Sequence, residues 1–301
     1  VQRRLGIATV HICHNTEEAA TLADLVEKGH HLAITHGNGP QIGNFLLRNE
    51  AAGDVIYPLP MEVAVAHVQG GMGYMIAQTL MNELSRRGRD SVITTIVTNV
   101  LVDQDDPSFR DPTKPIGRML TKADADRLAR EEDWTIKEIT PGKYRRVVPS
   151  PLPKRIIEIE NICRAVRAGD LIVTCGGGGI PVIHDPKEGL CGVRAVIDKD
   201  LASALLAAEL NAGTMLILTN VDHVSINFGK PDEQPVERMT LDEAQRFLDE
   251  GQFPPGSMGP KIQSAINFLS TASDSARVVI GPLDRATDAV AGRIGTCITK
   301  C

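Results

Sequence analysis

Short apolar runs and longer helical patterns take turns along almost the whole of this 301-residue chain. That alternation limits it to one broad class of fold. Runs at His31–Thr35, Ser91–Val97, Leu171–Cys175, Thr214–Leu218 and Arg277–Ile280 have the length and apolar content of buried strands. Helical spacing is carried by Glu17–Lys28, Pro40–Ala52, Val63–Arg86, Lys154–Ala168, Leu201–Leu210, Leu241–Glu250 and Pro260–Thr271. Such alternation predicts a mostly parallel sheet with helices on both faces. Ligands of these sheets sit in the loops beyond the strands' carboxyl ends.

One region breaks the rhythm. Between Pro112 and Pro153 lie six prolines, a charged helical stretch (Thr121–Glu131) and a hairpin pattern. The hairpin pairs Trp134–Ile139 with Tyr144–Val148 around Pro141-Gly142. It reads as a small excursion from the main sheet, a candidate lid. The chain then divides into residues 1–111, a protruding subdomain at 112–153 and a second half at 154–301, within one domain.

Composition removes several function classes. A hydrophobic content of 42%, a charged content of 23% and a net charge of −6 describe a globular chain and argue against a nucleic-acid or anionic-membrane binder. Only 3% of residues are aromatic, too few for base-stacking platforms. No apolar run approaches the ~18–20 residues that a membrane span needs. The six cysteines are scattered, without a CxxC or a Cys/His cluster, and predict reduced thiols and a cytoplasmic location rather than disulfides or a zinc site.

Leu32–Gly43 is an apolar strand feeding a loop that contains Gly37 and Gly39, with Pro40 at the start of the next helix. Bare backbone and a helix N-terminus make an anion cradle, and a plain tight turn is the competing explanation. Asp198-Lys199-Asp200 opens the helical pattern that continues through Leu201, Leu205 and Leu206. Either an aspartate caps that helix while Lys199 faces water, or Lys199 meets phosphate with a carboxylate orienting it. Gly256-Ser-Met-Gly-Pro-Lys261 is a second Gly loop opening a helix, and Lys114 stands between Pro112 and Pro115 at a restricted turn. Gly176–Gly179 follows the strand Leu171–Cys175 directly. Four glycines there are entropically costly and predict a ligand pressed against bare backbone. Three lysines on separate loops, with no His–Ser or His–Cys pair to activate a nucleophile, suggest polyphosphate chemistry.

Seven blocks in order, THGNGPQIG, VTNVLVDQDDPSFRDPTKPIG, YRRVVPSPLPKRIIE, GGGGIPVI, AVIDKDLAS, INFGKPDE and EGQFPPGSMGPK, make the chain resemble the carbamate kinases of the amino-acid-kinase superfamily from about Glu17 to Lys300. The resemblance implies a three-layer α/β/α sandwich with an open, mostly parallel sheet and a protruding subdomain. It further implies a homodimer and the magnesium-dependent reaction ATP + carbamate ⇌ ADP + carbamoyl phosphate, run toward ATP synthesis in arginine or purine-nitrogen breakdown. The first half would bind the acceptor and the second the nucleotide. Carried onto matching positions, Gly37, Asn38 and Gly39 hold the carbamate or the transferring phosphoryl group, with Gly177 and Gly178 beside them. Lys114 reaches in from the subdomain base. Lys199 and Lys261 neutralise the ATP phosphates and Asp200 orients them. The nucleotide lies near Thr219, Asn220, Val221, Val224, Met258 and Gly259. Magnesium comes with ATP or ADP, and no side chain is assigned as its ligand.

Three departures stand out. The family opens with an apolar strand ending in Gly-Gly-Asn-Ala, and no such segment is legible in residues 1–15. The expectation is an N-terminally incomplete chain, since Val1 is no initiator Met. The alternative is a catalytically impaired nucleotide-binding or dimerisation relative. Asn99 replaces a usual Gln, and Ile139–Lys143 replaces an acidic turn, which leaves a kinase acting on another small carboxylate as a further alternative. The PTKPIG and AVIDKD blocks argue against glutamate, acetylglutamate, aspartate or UMP as acceptor.

Overall fold

In the computed structural model, which describes residues 5–10, 16–53, 55–132, 134–254 and 256–301, eight strands form the central sheet. Their order is Arg238–Thr240, Thr296–Thr299, Arg277–Pro282, Thr214–Thr219, Leu5–Val10, His31–His36, Leu171–Val173 and Ile93–Thr95. The six strands from Arg277–Pro282 to Ile93–Thr95 run parallel to their neighbours, and Thr296–Thr299 turns antiparallel at one end.

The strands read as nearly continuous apolar runs because both faces are covered. Ala33, Ile172, Met215, Ile217, Val278 and Ile280 enter one core. The intervening Leu32, Ile34, Leu171, Val173, Leu216, Leu218 and Val279 enter the other. On the first face, Ile162 and Val166, Ala202 and Leu206, and Ile262, Ala265 and Phe268 bring in three helices: Ile159–Ala168, Lys199–Glu209 and Met258–Thr271. The second face takes Leu22 and Leu25 of Thr16–Glu27 and Ile76, Leu80 and Leu84 of Met61–Arg86. The three-layer sandwich is therefore the fold, with two cores separated by one sheet.

The N-terminal strand corrects the sequence reading. Leu5–Val10 lies between Thr214–Thr219 and His31–His36, parallel to both, in the middle of the sheet. The opening strand is thus present. The place expected for the family's Gly-Gly-Asn-Ala segment, directly after this strand, falls on residues 11–15, outside the described residues. A second correction concerns Lys154–Ala168. Arg155–Ile156 pairs antiparallel with Val100-Leu101, so the helix starts only at Ile159. Strand Leu171–Val173 stops two residues early, because Cys175 turns left-handed at φ 50°.

Outside the main sheet, Ile180–Asp185 lies beside Asn99–Leu101. Asn99, the departure from Gln, donates from Nδ2 to Glu158 Oε1 at 2.7 Å and from its backbone N–H to Oε2 at 2.8 Å. The subdomain is a three-stranded antiparallel sheet of Lys114–Leu120, Lys143–Val148 and Ile136–Thr140, with the helix Lys122–Glu131 against it. Its own core is small: Leu120, Ala125 and Leu128, flanked by Trp134, Ile136 and Tyr144. The altered Ile139–Lys143 turn sits at its exposed tip.

Phe268 is fully buried between its helix and the sheet. Phe268→Ala is expected to cost about 3–5 kcal/mol of stability, read as a lower denaturant midpoint. Phe228, 62% exposed, is the control: Phe228→Ala should stay within about 0.5 kcal/mol.

Candidate active site

One cleft of about 1000 Å³ receives segments from both halves and from the subdomain. Gly37, Asn38 and Gly39 reach it from the end of the strand His31–His36, and the helix Gly39–Ala52 starts there with Pro40 in its first turn. The Asn38 side chain does not cap this helix, so its N-terminal positive end faces the cleft uncapped by Asn38. Thr35 Oγ1 and Ser203 Oγ hydrogen-bond at 2.8 Å, and Ser203 Oγ donates to the Lys199 carbonyl. The strand His31–His36 and the helix that carries Lys199 are fixed to one another through those hydroxyls.

Asp198 caps the helix Lys199–Glu209, accepting from the N–H groups of Asp200 and Leu201. Its other oxygen accepts from Lys114 Nζ at 2.7 Å. Lys114 stands at the subdomain base, opposite Val148. One aspartate thereby ends a helix and holds a cation carried by a different sheet. Capping and carboxylate pairing of Lys199, offered as alternatives by the sequence, are both realised, the first by Asp198 and the second by Asp200.

Lys199 does not face water. Its Nζ donates to Asp200 Oδ1 at 2.6 Å, and Lys261 Nζ, from the first turn of Met258–Thr271, donates to Asp200 Oδ2 at 3.0 Å. Side-chain exposure is 14% for Lys199, 6% for Lys261 and 5% for Asp200. Burial alone would raise the Asp200 carboxyl, but the two ammonium charges outweigh it and hold the group at about 2. Burial pulls the Lys199 ammonium below its ordinary value, against the opposing pull of Asp200. Two cations and one anion leave a net positive charge, which suits a polyanion.

The glycine run has a different cause from the one its sequence suggests. A Cβ on Gly176 would strike the His36 ring, on Gly177 the Asn38 amide, on Gly178 the Ile197 carbonyl, and on Gly179 Val100. The backbone is bare to admit the protein's own groups, with Gly177, Gly178 and Gly179 all at positive φ. Gly177 alone of the four lines the cleft, and Gly178 is buried behind Ile197. Cys175, next to the run, is no nucleophile: burial pushes its thiol up to about 12.

Thr219 and Asn220 line the cleft at the carboxyl end of their strand. Val221, Val224, Met258 and Gly259 do not. Val224 is fully buried in the core and donates its N–H to Thr296 Oγ1. Met258 packs on that same core, and Gly259 is buried beneath Pro254, whose carbonyl accepts its N–H. These residues support the loop from below. Sequence reasoning missed Glu18, Asn44, Arg118, Arg145 and Leu283, which also line the cleft. Only the adjacent Arg145-Arg146 carried a signal, since neighbours on a strand face opposite ways.

Comparison with known proteins agrees with this geometry. Residues 16–280 match the model of the amino acid kinase family. A carbamate kinase of Thermococcus kodakarensis is 46% identical over 94% of this chain and 90% of its own. One of Clostridium perfringens is 44% identical over 96% and 91%. The structure of carbamate kinase from Giardia lamblia bound to AMP-PNP superposes with a TM-score of 0.91 at 35% identity, covering 99% of this chain and 98% of that one. The chain belongs to the amino acid kinase family and, within it, to the carbamate kinases.

Proposed function

We propose that the chain catalyses ATP + carbamate ⇌ ADP + carbamoyl phosphate. The observation that carries this reading is the Asp200 bridge between Lys199 and Lys261, in one cleft with Gly37–Gly39 and Lys114. Phosphoryl transfer needs cations and amide donors at fixed positions and little covalent chemistry from the protein. The carbamate oxygen that attacks is already anionic, so no base has to take a proton. The P–O bond to ADP breaks as the P–O bond to carbamate forms, and the reverse step moves the same group back.

Lys199 and Lys261 offset the charge of the nucleotide phosphates, while the helix N-terminus behind Gly39 receives the acceptor or the transferring group. Lys114, held by Asp198, adds a third cation from the subdomain. Thr219 and Asn220 border the nucleotide. Asp198 and Asp200 orient lysines and take no proton. Their oxygens are already engaged, and among the described residues no group of three His, Cys, Asp or Glu could hold a metal. Magnesium would then arrive on the nucleotide, as Mg–ATP or Mg–ADP, with its charge on the phosphates. A homodimer, a cytoplasmic location and ATP synthesis in arginine or purine-nitrogen breakdown belong to the same reading and rest on the family resemblance.

The direct test is ATP formation from carbamoyl phosphate and ADP by the purified chain, followed in a coupled assay. Turnover with carbamoyl phosphate and no phosphorylation of glutamate, acetylglutamate or aspartate is the expected result. Failure to make ATP would overturn the assignment. Lys199→Ala is expected to lower kcat at least ~10²-fold, the scale of losing one charge-stabilising donor. Near-normal turnover in that variant contradicts the site.

Asp200 also makes a pH prediction. Its carboxyl lies at about 2 in the folded chain, against about 3.9 when unfolded. Its contribution to stability is therefore complete above pH ~4 and is lost as pH falls through ~2. Urea titrations should find the stability gap between wild type and Asp200→Asn constant from pH 7 to ~4 and shrinking below. A gap that widens on acidification contradicts the ion pairs.

A further inference from the structure

Two consecutive arginines on one strand cannot serve the same side of it. In the strand Lys143–Val148, Arg146 stacks its guanidinium 4.3 Å from the Trp134 ring centre, on the face that carries Tyr144 into the subdomain core. Arg145 projects the other way and lines the cleft. Its Nη2 donates to the Gly117 carbonyl at 2.8 Å, but its Nε is buried and finds no acceptor among the described residues. An arginine does not shed its proton. A buried N–H of this kind is unfavourable until an acceptor reaches it, and the residue that carries it borders the cleft.

The anchor also places Arg145 within the cleft. Gly117 packs against Gly43, where an added Cβ would come 3.6 Å from the Gly117 Cα. Gly43 lies one helical turn beyond Gly39, so the guanidinium is tethered beside the helix whose N-terminus follows Gly37–Gly39. Thr219, Asn220 and Lys261 enter from the other half of the chain. The unpaired donor thus stands on the acceptor side.

We propose that Arg145 binds the acceptor, its guanidinium fork taking the planar oxygens of carbamate in one direction and of the carbamoyl group in the other. A planar fork matches a planar carboxylate, whereas a lysine offers only a point charge. When the P–O bond of carbamoyl phosphate breaks, the departing oxygen gains charge, and Arg145 would meet that charge as it develops. This inference rests on the proposed reaction and adds to it the group that recognises the small anion.

The experiment measures KM for carbamoyl phosphate and for ADP separately in the ATP-forming direction, in wild type, Arg145→Ala, Arg145→Gln and Arg145→Lys, with Tm as the check on folding. Arg145→Ala is expected to raise KM for carbamoyl phosphate about 10–100-fold, the range for a lost hydrogen bond to a charged group, and to leave KM for ADP within about twofold. Arg145→Lys should recover part of that loss. Arg145→Gln keeps an amide donor for the Gly117 carbonyl and should match the Ala variant kinetically even if Ala alone is unstable. Equal rises in both KM values, or no change in either, would overturn the role of Arg145 and leave the reaction standing. A wild type that makes no ATP would overturn both.

Discussion

Everything in the cleft is arranged around one carboxylate shared by two buried ammonium groups. Taking three ions out of water costs several kcal/mol each, and mutual attraction repays this only when geometry is close to ideal. Asp200 meets that condition by giving one oxygen to Lys199 and the other to Lys261. The requirement then passes to the fold. Lys199 and Asp200 start one helix and Lys261 lies in the first turn of another, so the two helices must keep a fixed separation. Small residues make close approach possible: Ala202, Ala204 and Ala207 on one helix and Ala265 on the other are all buried in the same core. Within the triad, two ammonium groups face one carboxylate. A costly buried arrangement of this kind suits the proposed reaction, in which a polyphosphate would meet the two ammonium groups.

The glycine run shows how the packing of a site's own side chains can dictate sequence. Gly176 and Gly177 are bare because His36 and Asn38 occupy the space where their side chains would be. The turn is held from behind by a buried polar network. Gln69 donates to the Thr98 carbonyl and accepts from its N–H, and Thr98 Oγ1 bonds Thr174 Oγ1 and accepts from the Cys175 N–H. Each buried polar group in that network has a partner, which fixes the left-handed Cys175 and the glycines after it. Asn38, packed against that turn, is placed at the mouth of the cleft as a result.

What the sequence made legible was local, and what it hid was set by distant neighbours. Strands such as Thr214–Thr219 announced themselves because burial on both faces makes them apolar throughout. Leu5–Val10 carries a glycine and no clear flanking turn, and only the strands on either side of it define its central place. Arg155–Ile156 continued a helical pattern on paper but is drawn into an antiparallel pair by Val100-Leu101. In the site, lysines beside Gly and Pro were visible as motifs. The resemblance implied Asp200 as the partner of Lys199 and Lys261, but the pairing of Lys114 with Asp198 was not legible, since 84 positions separate them. Val224 and Met258 were placed correctly near their loop in sequence but face the core, a distinction that only packing decides.

The subdomain depends on the same logic. A core of three buried side chains with three partly buried neighbours is too small to order a sheet alone. Its position is therefore borrowed from the body, through Ile116 and Val148, buried among Ile42, Leu46 and Val65, through the close approach of Gly43 and Gly117, and through the Lys114–Asp198 ion pair. The polar anchors lie at the cleft, and the subdomain carries Lys114, Arg118 and Arg145 to it. Opposite faces of one strand divide the labour: Arg146 on Trp134 strengthens the small core, and Arg145 extends into the cleft. An anion bound between Arg145 and the body would add a further anchor beside these. Substrate binding and subdomain placement would then be a single equilibrium, with each favouring the other by the same free energy.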